Sequence, residues 1–200
     1  MRSTLIAAAA AFCLTAGIAP AAHAGTLVRE DAPRDVVRLR LSGGGEPQIE
    51  RAPRKFDPDI RRVAIDHRDR FLLVRVKYAG LDRRVWRGEN VSVRTSGGRE
   101  LMAMAFVIEE GRWQGFTALE DVDLEDTPEC RGLKHHFDYG ANVGTWSIPR
   151  RCLGNPRWVR VGVSASRGAP RGPVYLDDAF QKGFDFDVPI QSLSRRVWKG

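Results

Sequence analysis

Residues 59–81, DIRRVAIDHRDRFLLVRVKYAGL, constrain the fold more than any other stretch. Val63 and Ile65 fall on one face of an extended chain. Leu72, Val74, Val76 and Tyr78 fall on one face of a second, opposite Arg75 and Lys77. Successive side chains of a strand point to opposite faces of a sheet. Apolar and charged residues alternating with period two therefore mark a half-buried strand. The polar run Asp66–Arg70 between the two halves predicts an antiparallel hairpin.

The same alternation recurs along the chain. Val37, Leu39 and Leu41 oppose Arg38 and Arg40; Val91, Val93 and Thr95 share a face; so do Val159, Val161, Val163 and Ala165. Phe184, Phe186 and Val188 alternate with Asp185 and Asp187, and Val174–Leu176 is a short strand. Leu101–Ile108 (LMAMAFVI) is apolar on both parities, and flanking Gly97, Gly98 and Gly111 favour a buried strand over a buried helix. Residues 112–119 are expected to pair back with it. There is no long amphipathic helix and no internal repeat. About nine or ten short strands with Gly/Pro punctuation predict an all-β chain, an antiparallel β-sandwich or jelly roll, with a closed barrel as the alternative.

The first residues carry a different signal. Arg2 precedes an apolar run, Leu5–Ile18, and Ala22-His23-Ala24 fits a small-x-small cleavage pattern. That order predicts a secretory signal peptide at 1–24, outside the fold. The run is shorter than the roughly 20 residues that span a bilayer. Bulky Phe12 before Cys13 does not suit a lipoprotein site. The remainder divides into a polar lead-in at 25–35, a sandwich domain at 36–192 and a basic tail at 193–200.

Loss of Cys13 with the leader leaves Cys130 and Cys152. In an oxidising compartment two cysteines allow one connectivity, a disulfide. It would close a segment of two strand-like runs, CRGLKHHFDYGANVGTWSIPRRC, and stabilise it by roughly 3 kcal/mol in the chain-entropy account. The chain is basic, with net charge +7, and only five of its 32 basic residues are lysine. The charges are dispersed, without a block of five or six of one sign. With the export signal this argues against nucleic acid as a partner and leaves acidic polymers outside the cell.

Chemical motifs are sparse. The triple glycine at 43–45 lacks the G-x-G-x-x-G spacing of a dinucleotide loop. Gly162-Val163-Ser164-Ala165-Ser166 lies in a strand and lacks the second glycine of a nucleophile elbow. Strand parity sends His135 inward with Leu133, Phe137 and Tyr139, and His136 outward with Asp138. His136 and Asp138 are a pair, and a pair is not yet a site. His67, among Asp and Arg, reads as a surface turn residue. Loop carboxylates offer oxygen ligands for structural calcium: Asp121, Asp123, Glu125 and Asp126 in one loop, Asp57 and Asp59 in a second, Asp177 and Asp178 in a third. The first loop lacks the glycine and terminal glutamate of an EF-hand.

Tryptophan supplies the remaining candidates. Trp146 shares parity with Ile148 and belongs to the core. Trp158 shares parity with Arg160, and Trp86 lies in the polar run RRVWRGEN, so both are expected at the surface. Exposed rings on a sandwich can stack on sugars. Trp86, Trp158, His136 and Asp138 are therefore the ligand-binding candidates.

The leader, residues 59–81, Tyr139 in FDYG, and IPRRCLGNPRWVRVGVSAS together resemble a group of uncharacterised small secreted β-sandwich proteins of high-GC Gram-positive bacteria. The pattern is also loosely similar to carbohydrate-binding and DOMON-type sandwiches. These resemblances imply export and a sandwich fold; they bring no catalytic signature, and a fold-level likeness does not fix function. DOMON-type haem binding would need axial ligands, for which the chain offers few candidates. The expectation is a secreted, monomeric, non-enzymatic binding module for polysaccharide or an anionic cell-wall polymer, with no cofactor beyond calcium. The alternative is a secreted hydrolase whose site is assembled from distant residues.

Overall fold

The structure is a computed structural model and describes residues 25–40, 48–83, 86–108, 111–124, 129–168, 172–182, 184 and 192–200. The leader, Leu41, the triple glycine, Glu125, Asp126, and the run Asp185–Val188 lie outside the described residues. Thirteen strands appear among them, with no α-helix. In order they are β1 (Thr26–Glu30), β2 (Val37–Arg40), β3 (Gln48–Arg51), β4 (Ile60–His67), β5 (Phe71–Tyr78), β6 (Trp86–Thr95) and β7 (Glu100–Val107). There follow β8 (Phe116–Asp121), β9 (Lys134–Asp138), β10 (Val143–Pro149), β11 (Trp158–Gly168), β12 (Val174–Asp178) and β13 (Val197–Trp198).

Two antiparallel sheets form a sandwich. One runs β1-β4-β5-β10-β9; the other runs β3-β2-β12-β11-β6-β7-β8, with β13 added to β11. Inward residues of both sheets meet in one core, including Val63, Ile65, Leu72, Val74 and Trp146 from the first and Val91, Val93, Leu101, Val161 and Val163 from the second. These are the alternating residues of the sequence, as burial of one sheet face requires.

The strands extend beyond the sequence pattern in three places. Residues 25–35 supply β1, which pairs with β4 from Thr26↔Asp66 to Glu30↔Arg62. Residues 193–200 supply β13, which pairs Trp158↔Trp198 and Val159↔Val197. β4 runs on to His67, so the turn expected over Asp66–Arg70 shrinks to Arg68–Arg70. His67 is therefore not the surface residue expected. It shares parity with Val63 and Ile65, is fully buried, and places Nδ1 3.1 Å from the Val197 carbonyl oxygen. Burial holds its imidazole below the ordinary range, favouring the neutral ring.

β7 is a strand, but it is not covered on both faces. Leu101, Ala103, Ala105 and Val107 are buried, whereas Met102, Met104 and Phe106 are only half-buried and Ile108 beyond the strand is 51% exposed. Its second apolar face is the outward face of the larger sheet. The Cys130–Cys152 disulfide joins the approach to β9 to the 3-10 turn Arg150–Leu153 that follows β10. It closes the β9–β10 hairpin at its open end. Gln114 finishes the edge of β9 by pairing its side-chain amide with the Phe137 backbone, donating to the carbonyl at 3.0 Å and accepting from the N–H at 2.7 Å.

A polar clamp joins the sheets. Glu89 is an inward residue of β6 and is fully buried. Its carboxylate accepts from the Tyr78 hydroxyl on β5 and from Trp146 Nε1 on β10 at 2.5 Å. Gly144 of β10 lies against it, and a Cβ there would overlap the carboxylate. Burial, then the neighbouring Glu89, pushes the Tyr78 phenol well above its ordinary range, so it remains a donor. Two residues along β6, buried Arg87 pairs with Asp57 and lies over the Phe137 and Tyr139 rings at 5.3 and 5.6 Å.

Candidate functional site

The outward face of the larger sheet gathers aromatic side chains from three adjacent strands. Trp86 at the start of β6 is 42% exposed and Phe116 at the start of β8 is 52% exposed. Between them Phe106 of β7 faces Phe116, with ring centroids 5.5 Å apart. Ile108 completes the patch. Gly88 faces Phe106 and Ser166; a Cβ there would lie 3.0 Å from the Phe106 ring and 2.6 Å from Ser166 Oγ. The missing side chain lets the phenylalanine lie down across β6. Large apolar groups collected on one sheet face and exposed among the described residues make this patch a candidate interaction surface.

Trp158 is on the same face but not beside Trp86. β6 and β11 are antiparallel, Trp86 faces Gly168, and Trp158 lies past the other end of their pairing. The ten residues from Gly168 to Trp158 set a separation of roughly 34 Å at ~3.4 Å per residue. Trp158 is half-buried, with the Arg196 guanidinium 4.5 Å over its ring.

The two adjacent histidines separate as strand parity requires. His136 and Asp138 are exposed on the outer side of edge strand β9. Asp138 Oδ1 accepts the Ala141 N–H at 2.8 Å, and His136 stands opposite Thr145 in register. Among the described residues, no hydrogen bond joins either to a serine. The His135 side chain is fully buried, 3.7 Å from Glu89, and packed on Phe137 and Trp146 with centroids at 4.2 and 4.5 Å.

The calcium candidates are regrouped. Asp121 is not a loop residue; it is a buried residue of β8 whose carboxylate accepts from Arg99 Nε at 2.8 Å. Asp123 is exposed and donates its N–H to Asp121 at 3.2 Å. Asp57 is held by Arg87. The carboxylates that converge are Asp31, Asp35 and Asp177, with one oxygen of each within 4.8 Å of the others. Asp59 and Asp178 stand close enough to act electrostatically on this group, and both are buried. Asp177 accepts N–H groups from Ile60 at 2.6 Å and Asp178 at 3.1 Å. Asp31 Oδ1 accepts the Ala32 N–H at 2.8 Å, while its Oδ2 is buried without a hydrogen-bond partner. Burial, reinforced by neighbouring carboxylates, raises Asp177 to about 9, Asp31 to about 7 and Asp178 to about 6.

Sequence reasoning named Asp59, Asp177 and Asp178 but not Asp31 or Asp35, which lie in the supposed lead-in. It also passed over Arg87 and Glu89. Extending the inward parity of Val91 and Val93 back two and four positions reaches both. Among the described residues no helix is long and apolar enough to cross a membrane. Comparison with known families, curated proteins and solved structures found no match, so nothing there bears on the resemblance drawn from the sequence.

The raised carboxyls fix a sign for pH dependence. A carboxyl whose folded pKa exceeds its unfolded value binds its proton more tightly in the native state. Its favourable contribution is complete below pH ~4 and is lost as the pH rises through the folded values of about 6, 7 and 9. In chelator-treated buffer without divalent ions, Asp31→Asn should raise the melting temperature at pH 8–9 and leave it near wild type at pH 4. Thermal unfolding followed by circular dichroism across that range checks this; a variant less stable than wild type at pH 9 contradicts it.

Proposed function

We propose that this chain is an exported, non-enzymatic binding module that holds a polysaccharide on the outward face of its larger sheet. The observation that carries the reading is the Trp86–Phe106–Phe116 patch. Sugar rings present flat C–H faces that pack on aromatic rings, and extended chains suit a broad sheet surface better than a deep pocket. Trp86 was one of the two rings expected at the surface; Phe106 and Ile108 join it from the run that is apolar on both parities, and Phe116 from the start of β8. The hydrolase reading draws less support, because His136 and Asp138 lie on an exposed strand edge and Asp138 is engaged by a backbone N–H.

Retention on insoluble polysaccharides tests the reading. Wild type should be retained on at least one neutral glucan, chitin or wall preparation. Trp86→Ala and Phe116→Ala should each weaken retention about tenfold or more with an unchanged melting temperature, as for truncated aromatic anchors. Self-association that disappears in the same variants would instead make this face a contact between two copies and remove the proposal.

A second reading rests on the aspartate group: we propose that it holds a structural calcium ion. Hard oxygen ligands suit calcium, and a dication offsets the burial and the mutual repulsion that otherwise drive these carboxyls to take up protons. The partnerless Asp31 Oδ2 favours it. Millimolar Ca²⁺ at pH 7.5 should raise the wild-type melting temperature, by about 2.7 kcal/mol of stability at a hundredfold excess over Kd. Asp31→Asn should lose most of that rise; no shift in wild type would dismiss the ion.

A further inference from the structure

We infer that the opposite end of the same outward face is a separate site for an acidic polysaccharide whose sugar repeat carries a carboxylate, a polyuronate. This inference shares only the sheet with the Trp86 patch and stands on different residues.

β13 adds to β11 with Val197 and Trp198 facing Val159 and Trp158. Directly opposed residues of antiparallel strands project from the same face. Val197 and Val159 are buried inward, so Trp198 and Trp158 are side by side outward. Trp198 is 46% exposed. Arg196, two residues before Trp198, shares its face and stacks on Trp158 at 4.5 Å. Arg157 and Arg195, each one residue along, are exposed at the same end of the sheet but fall on the opposite parity, so Arg196 is the arginine of the outward face.

The charges around this pair are not equivalent. Arg94 is matched by Glu100, and Lys199 by Asp69 at 2.6 Å. Arg160 donates to the Ser194 carbonyl at 2.8 Å. No ion pair among the described residues engages Arg157, Arg195 or Arg196. The outward face at this end therefore offers an exposed aromatic ring, Trp198, beside Arg196, a cation without an acidic partner among the described residues. A guanidinium stacked on a ring keeps its edge N–H groups available, and their fork matches a carboxylate.

Ring and anion must arrive together. A uronate repeat brings a pyranose face for Trp198 and a carboxylate for Arg196 in one unit. A polyol phosphate brings charge without a ring, and a neutral glycan brings a ring without charge. Single-stranded nucleic acid also combines ring and charge. Proteins that hold it use several aromatics along a continuous basic groove, whereas here Arg94 and Lys199 are already neutralised.

Affinity electrophoresis of the folded chain in gels containing polygalacturonate tests this. Wild type should be retarded, and retardation should vanish when the polymer is fully methyl-esterified, which keeps the ring and removes the charge. Trp198→Ala and Arg196→Gln should each weaken binding about tenfold at an unchanged melting temperature, while Arg75→Gln, which removes an exposed arginine from the outer face of the smaller sheet, should bind like wild type. Arg196 is exposed and outside the strand, so its variant reads binding even if Trp198→Ala loosens β13. The inference fails if wild type is not retarded, if the esterified polymer binds equally well, if Arg196→Gln binds normally, or if a single-stranded oligonucleotide binds more tightly than polygalacturonate.

Discussion

The Glu89 carboxylate is the interaction on which the rest of the sandwich depends. A buried carboxylate without donors is costly, and removing donors from one leaves a penalty of several kcal/mol. Here Tyr78 and Trp146, on neighbouring strands of the facing sheet, both donate to it. The clamp therefore fixes how β6 lies over β5 and β10, and Gly144 supplies the clearance. Neither sheet can slide one residue past the other without leaving a carboxylate, a phenol and an indole unpaired in the core. Beside it, the buried Arg87–Asp57 pair ties β6 to the segment preceding β4.

With the inner face filled in this way, the larger sheet has only its outer face to present. That face is unusual because β7 carries apolar side chains on both parities. At one end its outward row joins Trp86 and Phe116. At the other end Trp158 and Trp198 are bordered by arginine. The aspartate group belongs to neither patch. It gathers the end of β1, the approach to β2, the segment before β4 and the end of β12, so its state of charge bears on how those segments hold together.

Much of this was legible in period-two alternation. It located β4, β5, β6 and β11, while flanking glycines marked the doubly apolar β7 as a strand; parity sent Trp146 and His135 inward and His136 outward, and the cysteine count paired Cys130 with Cys152. Three of the short strands were not legible. β1 (TLVRE), β3 (QIER) and β13 (VW) are edge or end strands whose positions are set by backbone pairing with distant partners. His67 was misplaced because β1 prolongs β4 into what reads as a polar turn. The aspartate group escaped because Asp31 and Asp177 meet across most of the chain, and no local spacing encodes that. Glu89 and Arg87 were within reach, but their charge conceals an inward parity that the neighbouring valines reveal.

The central claim is that the Glu89 clamp closes the interior and leaves the outer face of the larger sheet as the working surface. Hydroxyl-radical footprinting of the folded chain, read tryptophan by tryptophan, tests it directly. Trp86 and Trp198, 42% and 46% exposed, should be oxidised readily, and Trp146, at 0%, should be protected until the protein unfolds. Oxidation of Trp146 at a rate comparable to Trp86 in the native protein would show that the clamp is not formed. Protection of both Trp86 and Trp198 would show that the outer face is covered, and either result would contradict the account.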